Sequence, residues 1–158
     1  MVVESEVKRM VKKAPLPLSV LLVAVVLLGL THVAVPIGRL IAFPYGLLGI
    51  VPLGLGVYLN LAADALLKRH QTTVKPFQVS ASLVVGGVYD VTRHPMYLGF
   101  VLILLGIAIL LGTATPFLVV MLFALVLDRT YIRTEEAMLR ERFGSDWEGY
   151  ARRVRRWV

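Results

Sequence analysis

Tyr89, Arg93, His94 and Tyr97 fall within GGVYDVTRHPMYLG (residues 86–99), between two strongly apolar stretches of the chain. Pro95 suits the first turn of a helix, so Arg93 and His94 stand just ahead of a helix N-terminus. That end offers free N–H groups and partial positive charge, which fit an anionic or hydrogen-bonding ligand group. Gly86 and Gly87 let backbone approach a ligand closely or take a positive φ. Two tyrosines add flat faces and hydroxyls. The same residue types also compose a membrane-interface anchor, so a ligand site and an anchor both stand as readings.

A second polar group lies in DRTYIRTEEAMLRERFGSDWEGYARRV (residues 128–154). Arg129, Arg133, Glu136 and Arg140 share one helical face, with Glu136 and Arg140 expected as a solvated i,i+4 pair. Glu135 lies about 100° round the helix. Glu135, Arg129 and Arg133 sit at a membrane boundary, where ionisable residues tend to be functional. Phe143, Trp147 and Tyr150 are expected to pack this segment onto the interface. His32, beside Thr31 in an apolar run, is expected to be hydrogen-bonded rather than catalytic. Asn60 and Asp64, at i,i+4, either line a polar pocket or serve as capping and interfacial groups.

The elements that must position these residues are set by hydropathy. Of 158 residues, 58% are hydrophobic and 17% charged, against about a quarter charged in soluble domains. The mean hydropathy of +0.78 points the same way, to an integral membrane protein of one domain (1–158). Cysteine is absent, which excludes disulfides, thiolate metal sites and a Cys nucleophile. Three scattered histidines make no ligand pair, so no metal is expected. The net charge of +7 reads as topology and anionic lipid, not nucleic acid.

The expected architecture is all-α, with about four transmembrane helices and a cytoplasmic C-terminal amphipathic helix. A cytoplasmic N-terminus (1–15) leads into spans at 16–37 and 40–63. The first is read as a retained helix, because no small-residue cleavage site follows it. A cytoplasmic loop (64–95) comes next. Residues 95–127 then run 33 positions without a charge, about 50 Å as one helix, too long for a core of about 30 Å. Gly112 and Pro116 break the run, giving a tight helical hairpin over 96–134, with its second helix starting at 116. The tail is 135–158. Four spans put sixteen of the seventeen Lys and Arg residues on one side, leaving Arg39 alone on the other. The positive-inside bias makes that side cytoplasmic, with both termini.

Over residues 80–154, about half the chain, the sequence resembles the isoprenylcysteine carboxyl methyltransferase family and the related phospholipid methyltransferases. The resemblance is carried by G-x-Y, R-H-P-x-Y-x-G, the Glu135–Glu136 pair and F-G-x-x-W-x-x-Y. It implies a membrane-embedded S-adenosylmethionine-dependent methyltransferase acting on a lipid-like or prenylated acceptor, with carboxyl O-methylation favoured over N-methylation. It further implies cofactor contacts from Ala81, Ser82, Leu83, Val84, Tyr89, His94, Pro95, Met96, Tyr97 and Glu135. Arg129 or Arg133 would serve the acceptor. The chain departs from the eukaryotic form in having one Glu pair, not a longer acidic run. An NADPH-dependent reductase of the sterol-reductase type and a non-catalytic membrane binding protein are the alternatives.

Overall fold

The computed structural model describes residues 16–70 and 82–158. Within them all regular structure is helical: α1 (Pro17–Ala34), α2 (Ile50–Arg69), α3 (Pro95–Leu111), α4 (Ala114–Val126), α5 (Arg133–Phe143) and α6 (Ser145–Arg153). Ala81 and the N-terminal segment lie outside the described residues.

Helix α1 starts where Pro17 occupies the first turn and needs no N–H partner. It stops at Val35, which leaves helical geometry (φ −137°) just before Pro36. Its face of Leu18, Leu22, Val26 and Leu30 is exposed, as a lipid-facing surface requires. A 3₁₀ turn over Tyr45–Gly49 runs directly into α2, so the second apolar segment is helical over Tyr45–Arg69. Three helical segments are long and apolar enough to cross a membrane: Pro17–Ala34, Tyr45–Arg69 and Ala114–Phe143. The shorter apolar α3 has 17 residues, about 25 Å, and completes the set of four.

Helices α2 and α3 pack antiparallel through small residues. A Cβ on Gly106 would stand 2.6 Å from the Gly49 carbonyl oxygen, and one on Gly56 would stand 2.5 Å from that of Gly99. Both glycine pairs are spaced by seven residues, so the two contacts lie on one seam. Close backbone approach of this kind is how helices associate where lipid removes the hydrophobic driving force.

The hairpin turn is tighter than expected. Gly112 takes a left-handed conformation (φ +73°), Thr113 occupies the position before α4 in extended geometry, and α4 begins at Ala114, two residues before the expected start. Pro116 falls inside the first turn, where a missing N–H costs no intrahelical bond, so it initiates the helix instead of breaking it. The residues following α1 clamp this turn. Leu40 N–H donates to Gly112 O at 2.8 Å, Ala114 N–H to Ile37 O at 3.0 Å, and the Thr115 hydroxyl to Val35 O at 2.8 Å. His32 Nδ1 meets Thr113 Oγ1 at 2.9 Å, a structural bond at the end of α3 opposite His94. Arg39 bridges to Thr113 at that same end.

Helix α4 runs on past the apolar segment into the polar one. It passes through one π-helical turn, Leu127–Ile132, straight into α5, giving one helical course of 30 residues. Leu127, Tyr131 and Ile132 of the wide turn are buried against the bundle core with Leu28 and Leu104. At Gly144 (φ +50°) the chain turns into α6. There Trp147, Tyr150 and Val154 pack with Leu83, Leu139 and Phe143.

Candidate active site

His94 is the residue immediately before α3, and it is 5% exposed. Its backbone N–H donates to Thr92 Oγ1 at 3.2 Å. Adjacent residues on a helix diverge by about 100°, and the first turn of α5 uses that divergence to straddle the imidazole. Glu135 Oε2 lies 3.7 Å from His94 Nδ1, and Glu136 Oε1 lies 3.4 Å from Nε2. One turn into α3, the Tyr97 hydroxyl donates to Glu135 Oε1 at 2.8 Å. The Tyr97 ring packs beside those of His94, Phe100 and Tyr131.

Glu136 is not the solvated partner of Arg140 expected from helical spacing. It is 7% exposed and held by two guanidinium groups. Arg93 donates from Nε at 3.0 Å and from a terminal nitrogen at 2.7 Å, and Arg156 donates at 2.5 Å. Arg140 is exposed, with no ion pair among the described residues. The correction is physical: the face of α5 that carries Glu136 is covered by the chain after α6. Arg93 N–H donates to Arg155 O at 3.0 Å, and the Thr92 hydroxyl donates to Arg156 O at 3.0 Å. That tail lays Arg156 across Glu136.

Electrostatics follow from this packing. Burial alone would lower the His94 pKa, but hydrogen bonding and proximity to Glu135 and Glu136 outweigh it and raise the pKa above the usual 6.5. Burial, then the Glu135 charge, pushes the Tyr89 phenol up. Tyr150 is pushed up to about 12, chiefly by burial, and its hydroxyl donates to Tyr89 O at 2.7 Å.

The expected site residues divide into three groups. His94, Tyr97 and Glu135 meet directly, with Pro95 buried beneath them in the first turn of α3 and Tyr89 close enough to feel the Glu135 charge. Met96 is half-buried on that turn. Leu83 packs under α6, Val84 is buried, and Ser82 Oγ is buried with no partner among the described residues. Arg129 and Arg133 are drawn elsewhere: their side chains are 68% and 55% exposed, and both face Asp128 Oδ2, at 4.0 and 3.0 Å. The π turn explains the second pairing, because its wider winding brings residues five apart together. Asp128 Oδ1 also reaches Arg156, at 3.3 Å.

Asn60 and Asp64 do not come together as a pocket: Asn60 Nδ2 donates to Gly56 O at 2.9 Å, and Asp64 pairs with Lys68 at 2.6 Å. Arg156 was missed by sequence reasoning, and no signal marks it among its neighbours in RRVRRW.

The profile of the phospholipid methyltransferase family matches residues 45–146, which includes α2, the whole hairpin, His94 and both glutamates. The chain belongs to the phospholipid methyltransferase family. This family member is 43% identical over 75 residues to the Schizosaccharomyces pombe protein-S-isoprenylcysteine O-methyltransferase, a match covering 46% of the chain and 30% of that enzyme. It therefore spans about a third of the length of that relative. It is also 40% identical over 63 residues to an uncharacterized Haemophilus influenzae protein, a match covering 40% of the chain and all of that protein. No solved structure matches it. Among the described residues there is no cluster of metal-ligating side chains.

Proposed function

We propose that this family member is an S-adenosylmethionine-dependent methyltransferase acting on a lipid-like acceptor, with its cofactor site on the cytoplasmic side of the membrane. The observation that carries the reading is the meeting of His94, Tyr97 and Glu135 at the mouth of α3, within the family-matching segment. The residues fit the cofactor's chemistry. Glu135 is partly exposed and keeps lone pairs for hydroxyl donors and for a cationic group. Ser82 Oγ is a buried hydroxyl still lacking a partner among the described residues. His94, Tyr97, Glu135, Tyr89 and the 82–84 segment would hold the cofactor, which supplies a methyl group activated on a sulfonium. Family membership favours this reading over the reductase.

The chain's own residues do three things in this account. Tyr97 and His94 fix the Glu135 carboxylate from two directions, so a bound group meets a preorganised partner. The Glu136 cluster with Arg93 and Arg156 locks α5 against the loop before α3. The apolar wall of α3 and α4 excludes water and admits an acceptor laterally from the bilayer.

Carboxyl O-methylation is the preferred chemistry, because a carboxylate acceptor already carries its lone pair and needs no base. An amine would first have to lose a proton. Arg129 and Arg133, exposed and paired with Asp128, would exchange that partner for an acceptor carboxylate and orient it. The orientation rests on charge, with Arg39 and the hairpin turn at the opposite end from the arginine-rich tail.

Thermal-shift titration of detergent-purified protein with S-adenosylmethionine and with NADPH tests the reading. Stabilisation by S-adenosylmethionine is expected; stabilisation by NADPH alone would overturn it, and stabilisation by neither would favour a binding protein.

A further inference from the structure

Beside Glu136, residues of α5 and α6, with Arg93 before α3 and Arg156 after α6, line an open cleft of about 500 Å³. Its walls carry four arginines, Arg93, Arg140, Arg152 and Arg156, against two carboxylates, Glu136 and Glu148. The two sets are not equivalent. Arg93 and Arg156 neutralise Glu136. Arg140 and Arg152 are exposed and make no ion pair among the described residues, so their guanidinium groups keep all their donors. Trp147 forms an apolar part of the wall, with the Arg93 guanidinium 5.7 Å from its ring centre.

We propose that this cleft is a docking site for the phosphate of an anionic phospholipid headgroup, separate from the reaction site at His94 and Glu135. Two uncommitted guanidinium groups over a pocket of net positive charge match a phosphate oxyanion, which accepts parallel N–H donors. A lipid is the favoured source because Arg93, in the cleft wall, stands two residues before the apolar helix α3. The cleft's helix α5 is the direct continuation of the α4 span, leaving the apolar segment only at Asp128. Further exposed arginines, Arg142, Arg153 and Arg155, follow on the same two helices and the tail, a basic surface that draws anionic lipid toward the cleft. Glu148 is the one wall carboxylate without an ion-pair partner among the described residues, and it opposes the anion.

The proposal does not depend on methyl transfer, so its test requires no turnover. The chain has two tryptophans, and Trp157→Phe leaves Trp147 as the only indole reporter. Its emission in maltoside micelles is titrated at low salt with dihexanoyl-phosphatidylglycerol, dihexanoyl-phosphatidylcholine and inorganic phosphate. Phosphatidylglycerol is expected to bind at least tenfold more tightly than either other probe. The Arg140→Gln/Arg152→Gln pair should weaken it at least tenfold while leaving S-adenosylhomocysteine affinity unchanged. Glu148→Gln, which removes the opposing charge, should tighten it severalfold. Equal affinity for phosphatidylglycerol and phosphatidylcholine would overturn the proposal, as would indifference to the arginine pair. Inorganic phosphate binding as tightly as the lipid would make this a site for small soluble anions and overturn the lipid assignment.

Discussion

The Tyr97 hydroxyl donates to Glu135 Oε1 at 2.8 Å, joining the first turn of α3 to the first turn of α5 across 38 residues of chain. The bond fixes which oxygen of Glu135 is used internally and leaves the other toward His94 Nδ1. In the proposed enzyme, this arrangement preorganises the carboxylate for the cofactor. Tyr97→Phe keeps the ring and removes only the hydroxyl. A hydrogen bond to a charged group contributes about 1.5–3 kcal/mol to the fold, so the melting temperature should drop modestly, and S-adenosylhomocysteine affinity should fall about tenfold because Glu135 loses its fixed orientation. Calorimetry on the purified variant measures this; unchanged affinity would remove Tyr97 from the site.

Glu136 is expected to act through the fold. Removing its carboxylate leaves Arg93 with no ion-pair partner among the described residues, and leaves Arg156 and His94 with only Asp128 and Glu135. Breaking a largely buried ion cluster costs about 3–5 kcal/mol. Glu136→Ala should therefore unfold at a clearly lower temperature than Glu135→Ala, in parallel melts in one detergent. The reverse order would show that the cluster is not structural.

The raised His94 pKa gives stability a pH dependence of definite sign. His94 faces Glu135 and Glu136 from α5, with Arg156 bound to Glu136, and Arg93 and Tyr97 flank it on its own segment. The folded protein holds the proton more tightly than the unfolded chain. That contribution is fully present below the unfolded value of about 6.5 and is lost as pH rises through the folded pKa. Melting temperature should fall from neutral pH into the alkaline range in the wild type, and this component should vanish in His94→Gln. A wild-type profile that matches the variant's would contradict the protonated, doubly paired imidazole.

The α2–α3 seam makes a sharp pair of controls. Gly99→Val and Gly106→Val force side chains into the facing backbone and should abolish the folded, monodisperse protein. Gly54→Ala faces open space on the same α2 helix and should be neutral or slightly stabilising. Size-exclusion profiles in detergent decide it. Tolerance of valine at both seam positions would mean the helices do not pack this closely.

Arg129 and Arg133 should separate acceptor from cofactor. Neutralising both is expected to raise KM for a prenylcysteine carboxylate by tenfold or more, with S-adenosylhomocysteine binding intact. Unchanged KM would argue against a carboxylate acceptor held by these residues.

What could be read from the sequence followed local chemistry. Pro17 and Pro95 mark helix starts, the charge-free run marks the hairpin, and R-H-P-x-Y with the glutamate pair marks the residues that meet at the mouth of α3. Long-range partners were not legible. Glu136 looked solvated because its partners lie 43 residues before it and 20 after it, and they arrive only once α6 and the tail have docked. Arg156 has no local feature to set it apart from Arg152, Arg153 or Arg155. The π turn lacks a Pro or Gly signal, and it accompanies the burial of Leu127, Tyr131 and Ile132, which periodicity alone does not specify.

The central claim is a cofactor site built on Glu135, His94 and Tyr97. Its most direct test is calorimetric titration of the detergent-purified protein with S-adenosylhomocysteine, comparing the wild type with Glu135→Gln and His94→Gln. The account predicts one saturable site in the wild type and at least tenfold weaker binding in each variant, with both variants still folded. Wild-type affinity retained in both folded variants would contradict it.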